Sequence, residues 1–375
     1  MKNSAFDIAT FEGDGIGHEI VSACLHVLEA LQRRVGGFQL QYRKLDGGAE
    51  LYRDTGTDIT DEAFEAARRA DAILFGAMGL PDVRFPDGTE IAPHLRMRLE
   101  FGLFAGLRPV RSFPNAAGPL KDPRAKNIDL LVIRESTEGL FASRGKGVLI
   151  DDREARDTMV ITRATCEKLF DKTFELARLR IKAGRSGVVT CVDKSNVFVS
   201  MAFFRKVFDE RAARFPDVPA RHHYIDAMAL DLVRRPWDFG VLVMENMFAD
   251  IISDLAGGLV GGMGMAPCAE IGEKHGLFQP AHGTAPDIAG KGIANPTAMF
   301  LSAAMMLDWL GEQHGVPACR TAASLLDSAV EKVFRDGQLL PREFGGAART
   351  SDLARAVTDA LGAVEPRGGP IAYAT

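Results

Sequence analysis

Short apolar runs alternate along this chain with stretches in which apolar residues recur every three or four positions. The runs DAILFGA (71–77), LRPVR (107–111), IDLLVIRE (128–135), GVVTCVDK (187–194) and FGVLVMEN (239–246) have the length and residue types of mostly buried strands. Helical periodicity lies between or after several of them, which makes the expected fold class α/β. The last three runs end in polar residues. Ligands of such sheets bind outside the carboxyl ends of the strands, so Arg134, Lys194 and the segment 246–254 stand where chemistry is expected. Neither an internal repeat nor a low-complexity linker interrupts the pattern, and the C-terminal EPRGGPIAYAT (365–375) is expected to be a loose tail with little to pack.

Within that pattern some polar residues call for an explanation. NMFADIISDL (246–255) carries Asp250 and Asp254, which on a helix share one face about 40° apart. Either they form a solvated acidic stripe, or a divalent cation between them cancels their repulsion with further oxygen ligands from elsewhere. Asp226, in YIDAMALDL, is equally suited to capping a helix or joining them as a ligand. No His/Cys cluster accompanies these carboxylates, so Mg²⁺ or Mn²⁺ suits them better than zinc. Arg98, Arg108 and Arg134 offer planar forks for bidentate capture of carboxylates, with surface salt bridging as the alternative use of each. Lys194, in CVDKSN, closes an apolar strand. Partial burial and nearby arginine charge would lower its pKa towards service as a general base; the alternative is a surface lysine at a turn.

Glycine-rich segments supply a further kind of chemistry. GDGIG (13–17), with Gly15 and Ile16, follows the apparent first strand and precedes a helix as a nucleotide loop does, but lacks full Gly-x-Gly-x-x-Gly spacing. HGTAPDIAGKGIANP (282–296) combines permissive glycines with Asp287 and Asn295, so it is expected to wrap a nucleotide, Asp287 accepting from ribose hydroxyls. A long surface loop is the alternative, although loops of this length are more often functional.

Composition narrows the partners. A chain of 375 residues, 46% hydrophobic and 25% charged, can bury a large core and is long enough for two or three domain-sized units. Its net charge of −5, without a Lys/Arg block, gives no reason to expect nucleic acid. Five scattered cysteines without a Cys-x-x-Cys pair point to reduced thiols and a cytoplasmic location. The N-terminus lacks the apolar run of a signal peptide, and AMFLSAAMML is too short to span a bilayer, so no membrane association is expected.

GDGIGHE, LRP, RESTEG, VDKSNV, YIDAMA, NMFADIISDL and HGTAPDIAGKGIANP, in this order, resemble the metal-dependent β-decarboxylating dehydrogenases that act on isopropylmalate, isocitrate and tartrate or D-malate. The resemblance spans nearly the whole chain. It implies an isopropylmalate-dehydrogenase-like doubly wound α/β sheet without a Rossmann unit, in two domains. The large cofactor-binding domain would comprise 1–106 and 262–375, and 107–261 would form a small domain carrying a homodimer interface. By the same resemblance Arg98, Arg108 and Arg134 clamp the malate carboxylates, Asp226, Asp250 and Asp254 hold Mg²⁺ or Mn²⁺, and Lys194 is the proton relay. Lys194 and Asp226 would come from the neighbouring subunit. Gly15, Ile16, Asn196, His282, Gly283, Asp287 and Asn295 fall at cofactor-contacting positions. Asp287 followed by Ile288 resembles the NAD-preferring pattern, since a 2′-phosphate would meet a carboxylate there. One departure stands out: Phe141 replaces a tyrosine that supplies a proton to the enol after decarboxylation.

The implied substrate is a hydroxy acid of the (R)-malate type. Isocitrate-type members carry Ser and Asn where this chain has Ala92 and His94, which disfavours isocitrate. Ile91, Leu95 and Val197 would hold an alkyl group and favour 3-isopropylmalate or a related 3-alkylmalate. Glu90, His94 and Arg96 would suit a polar group, with D-malate or tartrate as the alternative. A non-catalytic regulatory subunit of a heteromeric dehydrogenase is the reading of another class, opposed by the retention of Lys194, the three arginines and the three aspartates.

Overall fold

Each of the five apolar runs forms a strand of one ten-stranded sheet in the computed structural model, which describes residues 4–116 and 118–367. The chain begins with β1 (Ser4–Gly13), α1 (Gly17–Val35), β2 (Phe38–Leu45), α2 (Ala49–Thr55), α3 (Asp61–Arg69) and β3 (Ala72–Ala77). Then come α4 (Pro93–Glu100), β4 (Ala105–Arg111), β5 (Asp129–Glu135), a small hairpin of β6 (Val148–Ile150) and β7 (Glu154–Arg156), and α5 (Arg163–Lys182). The middle continues with β8 (Val189–Asp193), α6 (Val199–Ala212), β9 (Ala220–Tyr224), α7 (Ile225–Arg234), β10 (Val241–Met244) and α8 (Asn246–Leu259). Last come β11 (Pro267–Ile271), β12 (Gly276–Pro280), α9 (Thr297–Gln313), α10 (Pro317–Asp336) and α11 (Thr350–Leu361).

The strand order is β2-β1-β3-β12-β11-β4-β5-β10-β8-β9. Pairing is parallel from β2 to β12 and again from β5 to β9, but β11 and β4 run antiparallel to both their neighbours. The mixed centre is what gathers the site, because it sets residues of β4, β5 and β11 side by side. Helices cover both faces of the sheet, so β3, β8 and β10 are buried at every position and read as continuous apolar runs. The edge strand β2 alternates buried and exposed residues over its first four positions, and the other edge, β9, is largely exposed. Both lacked the continuous apolar signal.

Two helices show why the core forms. On α1, Ile20, Cys24, Val27, Leu28 and Leu31 recur at helical spacing and are fully buried, and the helix stops at Gly36, whose φ is 68°. AMFLSAAMML lies within α9, where every residue from Thr297 to Gly311 is buried against neighbouring strands and helices. No helix among the described residues is long and apolar enough to cross a membrane. At the C-terminus, Arg367 is tied down: its amide donates to Ser324 Oγ at 2.7 Å and its guanidinium pairs with Asp327 and Glu331. The loose tail expected for 365–375 otherwise lies, from residue 368, outside the described residues.

Candidate active site

Helix α8 begins where it does because Glu245 caps it. Its buried carboxylate accepts from the amides of Phe248 at 2.7 Å and Met247 at 3.1 Å, satisfying two of the donors a helix N-terminus leaves free. That start points Asn246 at β5, where its Oδ1 receives Arg134 Nε at 2.9 Å, while its Nδ2 donates to Glu138 O at 3.0 Å. Asp250 and Asp254 then follow on one face of the helix. Ile252, Ala249 and Ala256 pack on the opposite side into a cluster with Met244, Val132 and Met228.

Register places the charged residues of the sheet. Gly106 on β4 is opposite Arg134 on β5 and Glu270 on β11, and Arg108, two residues on, shares their face. A side chain at Gly106 would meet the Glu270 carboxylate at 2.8 Å, so the glycine leaves room for the charge between its neighbours. Arg98, in the last turn of α4, completes the group with its Nη2 at 2.9 Å from Glu270 Oε1; Arg108 Nη2 is 3.8 Å away. All four side chains are buried. Burial pushes the Glu270 carboxyl up, but Arg98, Arg108 and Arg134 outweigh it and hold the group at about 2. Burial, then Arg108 and Arg98, bring Arg134 down to about 10, against the pull of Asp250 and Glu270.

The arginines also reach the aspartates. Arg134 pairs with Asp250; Arg108 Nη1 lies 3.6 Å from Asp250 and 3.9 Å from Asp254, and donates to Ser253 Oγ at 2.9 Å. Guanidinium charge thus offsets part of the repulsion between the two carboxylates. Asp254 is nevertheless raised, by burial first, with Asp250 adding to the rise and Arg108 opposing it. Arg98, Arg108, Arg134, Asp250 and Asp254 line one cavity of about 310 Å³ together with Glu90, His94, Leu95, Phe141, His282 and Gly283. Phe141 lies under the Arg134 guanidinium, 5.0 Å from ring centre to Cζ, a cation–π contact that needs no hydroxyl. A second cavity of about 540 Å³ abuts the first, sharing Ala92, Leu95 and Phe141 and reaching Arg96.

The two glycine-rich segments meet beside this cavity. Ile16 N donates to Thr284 O at 2.9 Å, and Gly15, at φ 58°, lies so close that a Cβ would be 2.3 Å from the same oxygen. Glu19 accepts from the amides of Gly292 and Ala294 at 3.1 and 2.8 Å, pinning the far end of the loop to α1. Asp287 stands exposed in a short 3-10 turn. Asn295 differs from expectation, because its amide is engaged in holding the fold: Nδ2 donates to Glu343 at 2.7 Å and Oδ1 accepts from Thr297 N at 3.1 Å, starting α9.

The family model described as Isocitrate/isopropylmalate dehydrogenase matches residues 7–359. The chain belongs to this family. It is 40% identical over 351 residues to the 3-isopropylmalate/3-methylmalate dehydrogenase of Methanocaldococcus jannaschii, spanning 93% of this chain and 97% of that protein. To the 3-isopropylmalate dehydrogenase of Aquifex aeolicus it is 40% identical over 342 residues, covering 90% and 91%. The isocitrate dehydrogenase of Methylococcus capsulatus has a similar structure, with a TM-score of 0.83 at 33% identity over 95% of this chain and 99% of that one. As a member of the isocitrate/isopropylmalate dehydrogenase family, the chain is an oxidatively decarboxylating dehydrogenase.

For an enzyme of this family, the remaining expected residues are arranged unevenly. Lys194 and Asp226 bond each other, Nζ to Oδ1 at 2.6 Å, and neither lines the cavity that holds Asp250 and Asp254. Asp226 does not cap α7, whose N-cap is Tyr224; the Lys194 bond is the first cause of its lowered pKa. Among the described residues no group of three or more His, Cys, Asp or Glu side chains is placed to hold a metal ion. Asn196 is exposed in the turn after Lys194, and Val197 beside it is 59% exposed, also away from that cavity. Ile91 is fully buried in a separate cluster with Ala49, Leu80 and Val83. Sequence reasoning overlooked Glu270. Its signal was an acid inside the apolar strand PCAEI, the mark of a buried charge that must have partners.

Proposed function

We propose that this enzyme oxidises and decarboxylates an (R)-malate substituted at C3, with NAD⁺ as oxidant and Mg²⁺ or Mn²⁺ as metal, and that 3-isopropylmalate or a related 3-alkylmalate is its first substrate. The observation that carries this reading is the convergence of Arg98, Arg108 and Arg134 with Asp250 and Asp254 on one cavity. Asp250 and Asp254 offer only oxygen donors and are 41% and 61% exposed, which fits a hard divalent cation open to further oxygens. The charges also match. Three guanidiniums face Glu270, Asp250 and Asp254, so a divalent cation shared by the aspartates would leave the arginines free for a dianionic malate.

Bound there, the metal would make the C2 hydroxyl more acidic and stabilise the enolate left by CO₂. Lys194, donated by a second subunit, would take the hydroxyl proton and the arginines would orient the carboxylates, with NAD⁺, when bound, supplying the hydride acceptor. The paired loops 13–17 and 282–296 support a cofactor site, and the exposed Asp287 supports NAD⁺ over NADP⁺. We assign the strands from the two chain ends to a large domain (1–106 and 262–375) and the middle of the chain to a small one (107–261). Five buried, unpaired thiols fit a reducing cytoplasm.

D-malate or tartrate is the second reading, favoured by Glu90 and His94 on the cavity wall where Ile91 and Val197 are absent. A panel of 3-isopropylmalate, D-malate and tartrate, assayed with NAD⁺ or NADP⁺ and Mn²⁺, separates the two. NADH formation by the purified chain, dependent on metal and faster than with NADP⁺, is expected. An inactive chain that binds a malate would overturn the proposed function.

A further inference from the structure

His18 stands between two carboxylates at the root of the first glycine-rich loop. It is the second residue of α1, and its ring reaches Glu12 Oε2 on β1 with Nδ1 at 3.1 Å and Glu50 Oε2 in α2 with Nε2 at 3.0 Å. A neutral imidazole carries a single N–H and would turn a lone pair towards one of the two anions. Only the imidazolium donates to both, so the geometry is that of a charged ring. Burial pulls the His18 pKa down, but the bonds to Glu12 and Glu50 outweigh it and raise the group above its ordinary value of 6.5. Glu12 has a second cation in Lys44 of β2, whose Nζ lies 3.0 Å from the same oxygen. Glu50 pairs with no other cation among the described residues, and its Oε1 accepts from the Gly15 amide at 3.1 Å. Beneath them the buried Asp14 accepts from the amides of Ala49 and Glu50 at 2.8 and 2.7 Å and fixes where α2 starts.

We infer that His18 is a positioning residue for the cofactor loop: its imidazolium bridges Glu12 and Glu50, Glu50 in turn holds the Gly15 amide, and the dinucleotide binds less tightly once the ring gives up its proton. The inference rests on the proposed reading that loops 13–17 and 282–296 hold NAD⁺. With the proton gone, one ring nitrogen faces a carboxylate with no hydrogen between them, and one of the two carboxylates must shift. Glu12 keeps Lys44 whichever way the ring turns, so Glu50 is the group that moves. Gly15 has little slack to absorb that movement, because it sits at φ 58° hard against Thr284 O, and the amide of Ile16 bonds the same oxygen. The dependence has one sign. The bridge is complete below pH 6.5 and is lost as pH rises through the raised value of the folded protein. His18 does not line the cavity of Arg98, Arg108 and Arg134, so malate binding stays outside its reach.

The test reads NADH binding to the purified enzyme by nicotinamide fluorescence between about pH 6 and about pH 9, for wild type, His18→Gln and His18→Arg. The wild-type Kd for NADH is expected to rise about threefold across this range, the size that a half-exposed ion pair gives. His18→Gln cannot take the charge and should bind throughout as weakly as wild type does at the alkaline end. His18→Arg stays charged, can donate to both carboxylates, and should bind throughout as tightly as wild type does at the acid end. The KM for whichever malate is turned over should not distinguish the three proteins. A wild-type Kd that is flat with pH, or a pH profile that His18→Gln shares, would overturn the inference while NADH binding itself leaves the proposed function standing. Absence of NADH binding at every pH would instead sink the cofactor reading and this inference with it.

Discussion

Glu270 shows how one buried charge organises several others. Its carboxylate lies 2.9 Å from Arg98 and faces Arg108 and Arg134 in a part of the sheet where all four side chains are buried. Glu270→Gln keeps the shape and removes the charge, leaving three guanidiniums to repel one another. Loss of about 3–5 kcal/mol of stability is expected in urea unfolding, the usual cost of breaking a buried pair. The pH dependence follows from the depressed pKa. The ionised group stabilises the fold above its unfolded value of 4.5 and loses that contribution as pH falls towards about 2, so wild type and variant should converge in stability over this window. A constant gap would show that charge is not the cause. The arginines were legible in the sequence, because each offers the same fork wherever it stands; Glu270 was not, because its value depends on which strands lie beside it. Phe141 was legible as a departure, and its stacking on Arg134 shows what it retains. We predict that Phe141→Tyr speeds CO₂ release more than single-turnover NADH appearance, by up to the ~10²-fold of a modest general acid. Equal effects on both steps would assign the residue to packing alone.

At the scale of elements, the buried strands announced themselves by composition, whereas β2 and β9 at the sheet edges and the antiparallel β11 and β12 did not. The edge strands are open to solvent in part, while β11 and β12, though buried throughout, are short runs interrupted by Pro267, Glu270, Gln279 and Pro280. The pairing of the glycine-rich loops is a long-range contact between residues 16 and 284, which no local pattern encodes. It does explain Gly15. A side chain there would face both a positive φ, costing about 1–2 kcal/mol, and a backbone oxygen 2.3 Å away, so the loops must part. Gly15→Ala is therefore expected to raise the KM for NAD⁺ about tenfold while changing the malate KM less, as initial-rate kinetics would show. A larger effect on malate than on NAD⁺ would place the loops elsewhere in the mechanism. Asn295 gives the opposite lesson: an amide in a loop of suggestive composition turned out to fasten α9.

At the scale of the whole molecule, the separation of Lys194 and Asp226 from the cavity is the fact that most needs an account. Lys194 as the proposed proton relay and Asp226 as a proposed metal ligand could serve the arginine-lined cavity only if a second copy brings them in. Near both residues the surface is unusually apolar: Val199 is 88% exposed, Leu230 on α7 57% and Ile251 on α8 61%, an arrangement that a monomer rarely leaves open to water. A two-fold interface over this face would bury those side chains and carry Lys194 and Asp226 of each subunit to the other, since such an interface makes every donated contact reciprocal. Lys194→Ala and Asp250→Asn, each inactive alone, should then complement when unfolded together and refolded as a mixture. In a hybrid dimer the Lys194→Ala subunit contributes an intact Asp250 and the Asp250→Asn subunit an intact Lys194. One of the two sites is whole. Equal mixing makes half the dimers hybrid, so about a quarter of wild-type activity should return, with a Mn²⁺ dependence matching wild type. If the mixture stays as inactive as its components while sedimenting as a dimer, each site is built within one chain, and closure of that chain must instead carry Lys194 to the aspartates.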